Sequence, residues 1–267
     1  MIEVLSLFLT VLAYTILSTG LILMKKGVGW IGYKAPKDKS YFKLLFTWTG
    51  GFLLVNISVV PNALALKHLD SHIVSAMAGW GVIVLVILSY AVLKERLYRS
   101  DIVFSSIIVI CIVILNIYET NETPAGINEL FFAVVTIIPL ALFILALNKN
   151  RSLKFRAAFF AGSAGMSAGM IVVTLKILVL FFGFKIPLYF SSGYFYLYLL
   201  FSLAAFVFIQ FAYKTGSMLL VGPVQYSATI LYPAVCAALV FSQALRGVQI
   251  AALVLLVYAV ASILKKH

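Results

Sequence analysis

The sequence predicts an all-α, polytopic membrane protein of about nine transmembrane helices, arranged as an inverted-topology repeat of four helices, one linker helix and four more. Three observations predict this. The 267 residues are 64% hydrophobic and 10% charged, whereas a soluble domain has about 45–50% and about 25%; mean hydropathy is +1.12. The apolar residues gather in runs of about 18–25, the length a spanning helix needs. The basic residues fall on alternate connections between those runs.

A bilayer offers no water to backbone N–H and C=O groups, so only helices and closed barrels cross it. Barrel strands are alternating segments of roughly ten residues, and no such alternation occurs here. The nine runs cover about 4–24, 45–66, 72–93, 101–118, 128–147, 156–182, 194–213, 218–241 and 248–264. The first lacks a basic leader and is too long for a signal peptide, so it reads as a retained helix. Breaker residues mark the connections: Pro36 after the first run, Pro124 and Gly126 after the fourth, Pro187 after the sixth.

Charge then sets topology. Lys25, Lys26, Lys34, Lys37, Lys39 and Lys43 occupy the first connection; Lys94, Arg96 and Arg99 the third; Lys149, Arg151, Lys154 and Arg156 the fifth; Lys214 the seventh; Lys265 and Lys266 the tail. These sixteen oppose three on the other side, Lys67, Lys185 and Arg246, where the fourth connection is acidic (Glu119, Glu122, Glu129). Basic residues resist translocation, which puts the N-terminus outside and the C-terminus in the cytoplasm of a multi-pass integral membrane protein. The net charge of +12 is explained the same way and calls for no nucleic acid, since no basic stretch is interleaved with stacking aromatics. Asn121-Glu122-Thr123 on the outer side is a glycosylation sequon, a triplet common by chance.

The two ends of the chain repeat one another. Leu23-Met24-Lys25-Lys26 matches Val173-Thr174-Leu175-Lys176. Asn62 precedes Lys94-Glu95-Arg96-Leu97 by the interval that separates Gln210 from Ser242-Gln243-Ala244-Leu245, and the same offset pairs Ser75 with Pro223 and Met77 with Gln225. The expected division is a first repeat over 1–120, a linker helix over 121–150 and a second repeat over 151–267. An odd linker helix inverts the second repeat, an arrangement common in secondary transporters that alternate access to a midplane site.

On residues Gly20-Leu21-Ile22-Leu23-Met24-Lys25-Lys26-Gly27, Gly79-Trp80-Gly81-Val82-Ile83-Val84-Leu85 and Lys94-Glu95-Arg96-Leu97, the chain resembles the half-domain of the drug/metabolite transporter superfamily. Its first half is similar to a small multidrug resistance subunit. The four-one-four plan, with Val221-Gly222-Pro223 opening the eighth span, resembles NIPA-type magnesium transporters. Two departures limit what the resemblance implies. Where small multidrug pumps carry a carboxylate in the first span, this chain reads Leu17-Ser18-Thr19. Where NIPA-type proteins carry an acid in the second, it reads Asn56, Ser58 and Asn62.

Polar groups inside spans are costly and point to function. Glu3, Asp70, Glu95, Asp101, Glu119, Glu122 and Glu129 fall at span ends or in connections, and Asp38 lies in a loop. Magnesium prefers carboxylate and water oxygens, and carboxylates are the usual proton relays, so both mechanisms lose support. The remaining inventory is neutral or basic: Asn56 and Asn62 on the second span, where Pro61 should loosen the hydrogen-bond ladder; Trp80 on the third; Gln210 and Tyr213 on the seventh; Gln225, Tyr226, Ser227, Thr229 and Tyr232 on the eighth. Pro223 and Pro233 suggest that the eighth helix is broken. Lys176 interrupts an apolar run; it either snorkels to the interface or anchors an anionic or zwitterionic substrate. Ser163, Gly165, Ser167 and Gly169 form a small-residue stripe suited to close helix packing. Tyr189, Phe190, Tyr194, Tyr196 and Tyr198 read as an interfacial belt.

Cys111 and Cys236 lie within apolar runs and read as buried small residues. His68 and His72, flanking Asp70, read as a solvated turn. No sequence pattern of an enzyme, a cofactor site or a metal site is present. The expected substrate-binding residues are Asn56, Asn62, Trp80, Lys176, Gln210, Gln225, Tyr226 and Tyr232. The expected function is a secondary transporter or facilitator of a small polar organic metabolite, the partners being that solute and the lipid bilayer, with the chain a monomer or homodimer. The alternatives are a NIPA-like magnesium or divalent-cation transporter, a lipid-linked-sugar flippase, and a membrane scaffold.

Overall fold

A computed structural model describes residues 2–32, 39–65, 68–69, 71–117, 126–183 and 185–266. The described residues form twelve α-helices and one short 3-10 turn, and no strand. In order they are α1 (Ile2–Gly27), α2 (Lys39–Ile57), α3 (Val59–Ala65), α4 (Ser71–Ala76), α5 (Ala78–Leu93), α6 (Arg99–Ile117), α7 (Glu129–Leu147), α8 (Leu153–Phe182), α9 (Ile186–Tyr189), α10 (Gly193–Thr215), α11 (Met218–Val240) and α12 (Gly247–Lys266). Eight helical segments are apolar and long enough to cross a bilayer, and Ala78–Leu93 is a shorter ninth. The chain is an all-α polytopic membrane protein, and the nine apolar runs of the sequence each carry one of these segments. The glycosylation triplet at 121–123, most of the acidic fourth connection, Asp38, Lys67 and Asp70 lie outside the described residues.

Two spans are broken. The second divides at Ser58 into α2 and α3. Pro61 has no N–H for the carbonyl of Ile57, the bond that would close this turn, and the next donor, Asn62 N–H, reaches Ser58 O only at 3.4 Å. The third divides at Met77 into α4 and α5, with Trp80 N–H bonding Met77 O at 3.0 Å in a tighter three-residue return. The eighth, expected to break at its prolines, does not: α11 runs unbroken from Met218 to Val240. The partner helix makes room for one ring. A Cβ on Gly169 of α8 would lie 2.8 Å from Pro233 Cδ, so glycine there admits the pyrrolidine without unwinding.

The chain forms two compact units. One comprises Met1–Glu119, Ser217–Pro223 and Gly247–His267; the other comprises Thr120–Gly216 and Val224–Arg246.

In the first unit α1 packs on α2, α3 and α5, while α6 packs on α4, α5 and α12. Lipid supplies no hydrophobic drive between helices, so close backbone approach has to. Gly20 of α1 and Gly51 of α2 meet face to face: a Cβ on either would lie 2.7 or 2.6 Å from the other's carbonyl oxygen. Gly27 repeats the contact against Trp48 and Leu44. Glu95, just past α5, accepts hydrogen bonds from Met218 N–H (2.7 Å) and Leu219 N–H (2.9 Å), the first two residues of α11. Those amides have no intrahelical acceptor, and a carboxylate there also opposes the positive end of the helix dipole. Asp101 does the same for α6, accepting from Tyr98 N–H at 2.9 Å.

In the second unit α8 packs on α7 and α10. Phe143 stacks on Phe208 with centroids 3.9 Å apart, and Phe160 and Phe211 close around it. A second cluster joins Phe132, Val135, Met170, Val173, Ile177, Phe201 and Cys236. Asn128 caps α7 by accepting from Phe131 N–H, and its own N–H bonds Val240 O at the end of α11. Arg156 closes the other end of α7 by donating to Ala146 O at 3.0 Å.

The sequence repeat has a backbone counterpart. Among the described residues only Lys94 (φ 59°) and Ser242 (φ 52°) are non-glycine residues with positive φ. They lie 148 positions apart, the offset that relates Asn62 to Gln210. After each, the next N–H returns six residues: Glu95 to Ser89 O at 3.3 Å and Gln243 to Ala237 O at 3.0 Å. Each half therefore ends its third span in the same left-handed turn, followed by Glu in one half and Gln in the other.

The glycine crossing yields a prediction. Gly51→Ala should lower the melting temperature in detergent, because overpacking costs about 1–3 kcal/mol. Gly50→Ala should leave it unchanged or raise it, since a Cβ on Gly50 meets nothing within 4 Å and helix propensity improves by roughly 0.5–1 kcal/mol. Equal melting temperatures for the two variants would refute the contact.

Candidate functional site

The eight sequence-derived candidates divide between the two units. Asn56, Asn62 and Trp80 belong to the first; Lys176, Gln210, Gln225, Tyr226 and Tyr232 belong to the second.

In the second unit α11 crosses α8 in backbone contact. A Cβ on Gly165 would lie 2.4 Å from Gln225 O and 2.7 Å from Ala228 Cβ, and one on Gly169 would lie 3.2 Å from Tyr232 Cβ. Both contacts advance together along the two helices, so α8 and α11 run parallel. At this crossing α11 carries Gln225, Tyr226 and Ser227 in succession. Gln225 Oε1 and Ser227 Oγ are buried and make no hydrogen bond among the described residues. On α8 the same is true of Ser163 and Ser167, both wholly buried and one turn apart. α10 adds Gln210, almost fully buried, and Tyr213, fully so.

These serines depart from the habit of the chain. A helical Ser or Thr in apolar surroundings commonly bonds back to the carbonyl four residues earlier. Thr10, Thr15, Thr19, Ser89, Thr136, Thr174, Ser202 and Thr229 all do so. Ser163, Ser167 and Ser227 do not, and neither does the buried Ser105 of α6. An unmade hydrogen bond on a buried hydroxyl costs about 1–3 kcal/mol. Sequence reasoning treated Ser163 and Ser167 as packing residues, together with Gly165 and Gly169. The structure separates the pairs: the glycines face α11, and two residues along a helix is a turn of about 200°, which places the serines on the other side. That angle was available from the spacing alone.

The other candidates in this unit hold structure together. Tyr232 donates its hydroxyl to Val135 O and fastens α11 to α7. Lys176, two turns beyond Gly169 on the same face of α8, donates to Gln243 Oε1 at 3.2 Å and places its ammonium 4.8 Å from the centroid of the Phe241 ring. It thereby meets the turn that ends α11.

In the first unit Trp80 Nε1–H donates to Thr15 Oγ1 at 3.0 Å, although the indole is 39% exposed. Three residues along α1, Ser18 donates to Gly81 O at 2.8 Å and is fully buried. The hydroxyls of the first span thus bind the glycine-flanked start of α5. Asn62 Oδ1 is buried with no partner among the described residues. Asn56 is exposed and donates to Phe52 O of its own helix at 2.8 Å. Glu95 and Asp101 are engaged with helix N-termini, and no three His, Cys, Asp or Glu come together among the described residues.

No protein-family model, curated protein or solved structure matches the chain.

Replacing Ser163 and Ser167 together by alanine should leave the melting temperature unchanged or raise it, because it removes two unsatisfied hydroxyls. Ser18→Ala should lower it, since the Gly81 carbonyl loses its donor, at about 0.6 kcal/mol for an average interhelical bond in a membrane. A larger loss for the α8 pair than for Ser18→Ala would show that those hydroxyls are structural.

Proposed function

We propose that the chain is a secondary transporter or facilitator that moves a small polar organic metabolite across a membrane by alternating access. The observation that carries this reading is a set of buried groups that make no hydrogen bond among the described residues: Ser163 and Ser167 on α8, and Gln225 and Ser227 on α11. Buried polar groups are nearly always paired, and a set left open in an apolar environment suits a polar solute. The matching left-handed turns after the third and eighth spans support a repeated architecture of the kind used by inverted-repeat transporters. The resemblance of the half-domain to the drug/metabolite transporter superfamily belongs to the same proposal. Lys176 favours an anionic or zwitterionic solute, because it brings a positive charge to the end of α11.

Uptake into proteoliposomes, screened across amino acids, organic anions, nucleosides, polyols and magnesium, tests it. We expect saturable uptake of one organic class, cut at least tenfold by Gln225→Ala with Tyr226→Ala. Undiminished uptake by that double variant would remove the site assignment. Magnesium uptake abolished by Asn56→Ala or Asn62→Ala would replace the reading with cation transport.

The proposed topology places the N-terminus outside and the connections at 25–43 and 149–156 in the cytoplasm, because sixteen of the twenty basic residues fall on that side. The positive-inside rule applies to connections this short. With Cys111 and Cys236 replaced by alanine, single cysteines introduced as Lys37→Cys, Glu122→Cys and Lys154→Cys report each side. An impermeant maleimide applied to intact cells should label position 122 alone; labelling at 37 or 154 would reverse the topology.

A further inference from the structure

The first unit carries a second feature that the transport reading does not use. A cleft of about 400 Å³ lies where α12 packs on α6, lined by Phe104, Ser262, Lys265 and Lys266. We propose that it binds the headgroup of an anionic phospholipid, with the acyl chains against the aromatic wall beneath.

The lining changes character along its depth. Lys265 and Lys266, both exposed, form the polar end. Lys266 leans toward α6, its ammonium 5.1 Å from the centroid of the Tyr98 ring, so the two helices share the positive end of the cleft. Ser262 lies one turn below the lysines on α12. One turn further, Tyr258 meets Phe104 edge-on at 6.4 Å. Tyr258 to Lys266 spans about 12 Å of helix at 1.5 Å per residue, roughly the distance from a phosphate to the upper acyl carbons. Val103, Val254 and Val257 around the aromatic pair are more than half exposed, as residues facing hydrocarbon are.

Charge bears out the sign. Lys94, Arg96 and Arg99 lie on the connection into α6. Of the carboxylates in that stretch, Glu95 accepts from the first amides of α11, and Asp101, 1% exposed, turns into the helix cap, where its Oδ2 accepts from Tyr98 N–H; neither lines the cleft. Basic pockets between transmembrane helices at the membrane surface bind anionic headgroups. A soluble anion would need only the lysines. The apolar wall continuing toward the hydrocarbon adds affinity only for an anion that carries chains.

The test uses the full-length protein in neutral detergent, with lipid retention followed by native mass spectrometry during titration with phosphatidylglycerol or phosphatidylcholine. We expect the wild type to prefer phosphatidylglycerol. Lys265→Gln with Lys266→Gln should weaken phosphatidylglycerol by about 30-fold, roughly fivefold per lysine near an anionic surface, and leave phosphatidylcholine unaffected. Phe104→Ser should weaken both lipids. Removing the same charge elsewhere, by Lys149→Gln with Lys154→Gln, should change neither. The proposal is overturned if the two pairs of lysine substitutions cost the same, if the α12 pair costs nothing, or if millimolar inorganic phosphate displaces the lipid, which would make this a free-phosphate site.

Discussion

Backbone groups within the hydrocarbon must find their hydrogen-bond partners inside the protein, and several helix ends here are closed by side chains. The two bonds from Met218 and Leu219 to Glu95 are the clearest case. The left-handed turn at Lys94 ends α5 and turns the chain, and the next residue delivers a carboxylate to the first amides of α11. One residue thus serves the close of one span through its backbone N–H and the start of another, 123 positions later, through its side chain. Asp101 at α6, and Asn128 and Arg156 at the two ends of α7, obey the same rule. The carboxylates of Glu95 and Asp101 are therefore committed to backbone amides.

Between helix ends, a different rule governs contact. Lipid tails are as apolar as leucine, so helices adhere through close packing and a few polar bonds. Gly20 against Gly51, and Gly165 and Gly169 against α11, bring backbones nearly into touch. The bonds from Ser18 and Trp80 hold α1 to α5 in the first unit; those of Tyr232 and Lys176 hold α11 in the second. Against that economy the open hydroxyls of Ser163, Ser167 and Ser227 stand out. Most helical serines and threonines here bond back to a carbonyl of their own helix, whereas these three, like Ser105 of α6, do not.

What the sequence discloses depends on whether a feature is local. Span positions were legible because a run of apolar residues declares its own length, and the loosened ladder near Pro61 because proline has no N–H to donate. The continuity of α11 was not, since it depends on Gly169 facing Pro233, 64 positions away in the chain. The break at Met77 has no proline to announce it. The candidate site was legible by residue type: Gln225, Tyr226, Gln210 and Tyr213 are buried or half-buried where α10 and α11 carry them. Which hydroxyls are bonded was not legible, because Ser18 and Ser167 are alike in sequence and differ only in whether a neighbouring carbonyl is within reach.

The division of labour between charged and neutral groups constrains the proposed transport cycle. A proton relay needs a carboxylate that can gain and lose its charge without other consequence. Protonating Glu95 would weaken both bonds to the start of α11 and remove the charge that opposes its dipole; hydrogen bonds to charged groups contribute about 1.5–3 kcal/mol each. Protonating Asp101 would do the same to α6. The open hydroxyl and amide groups on α8 and α11 carry no such duty, so occupying them with a solute disturbs no helix end. Binding at neutral groups, with Glu95 and Asp101 engaged at helix ends, fits the proposed facilitator or exchanger better than a pump driven through those two carboxylates.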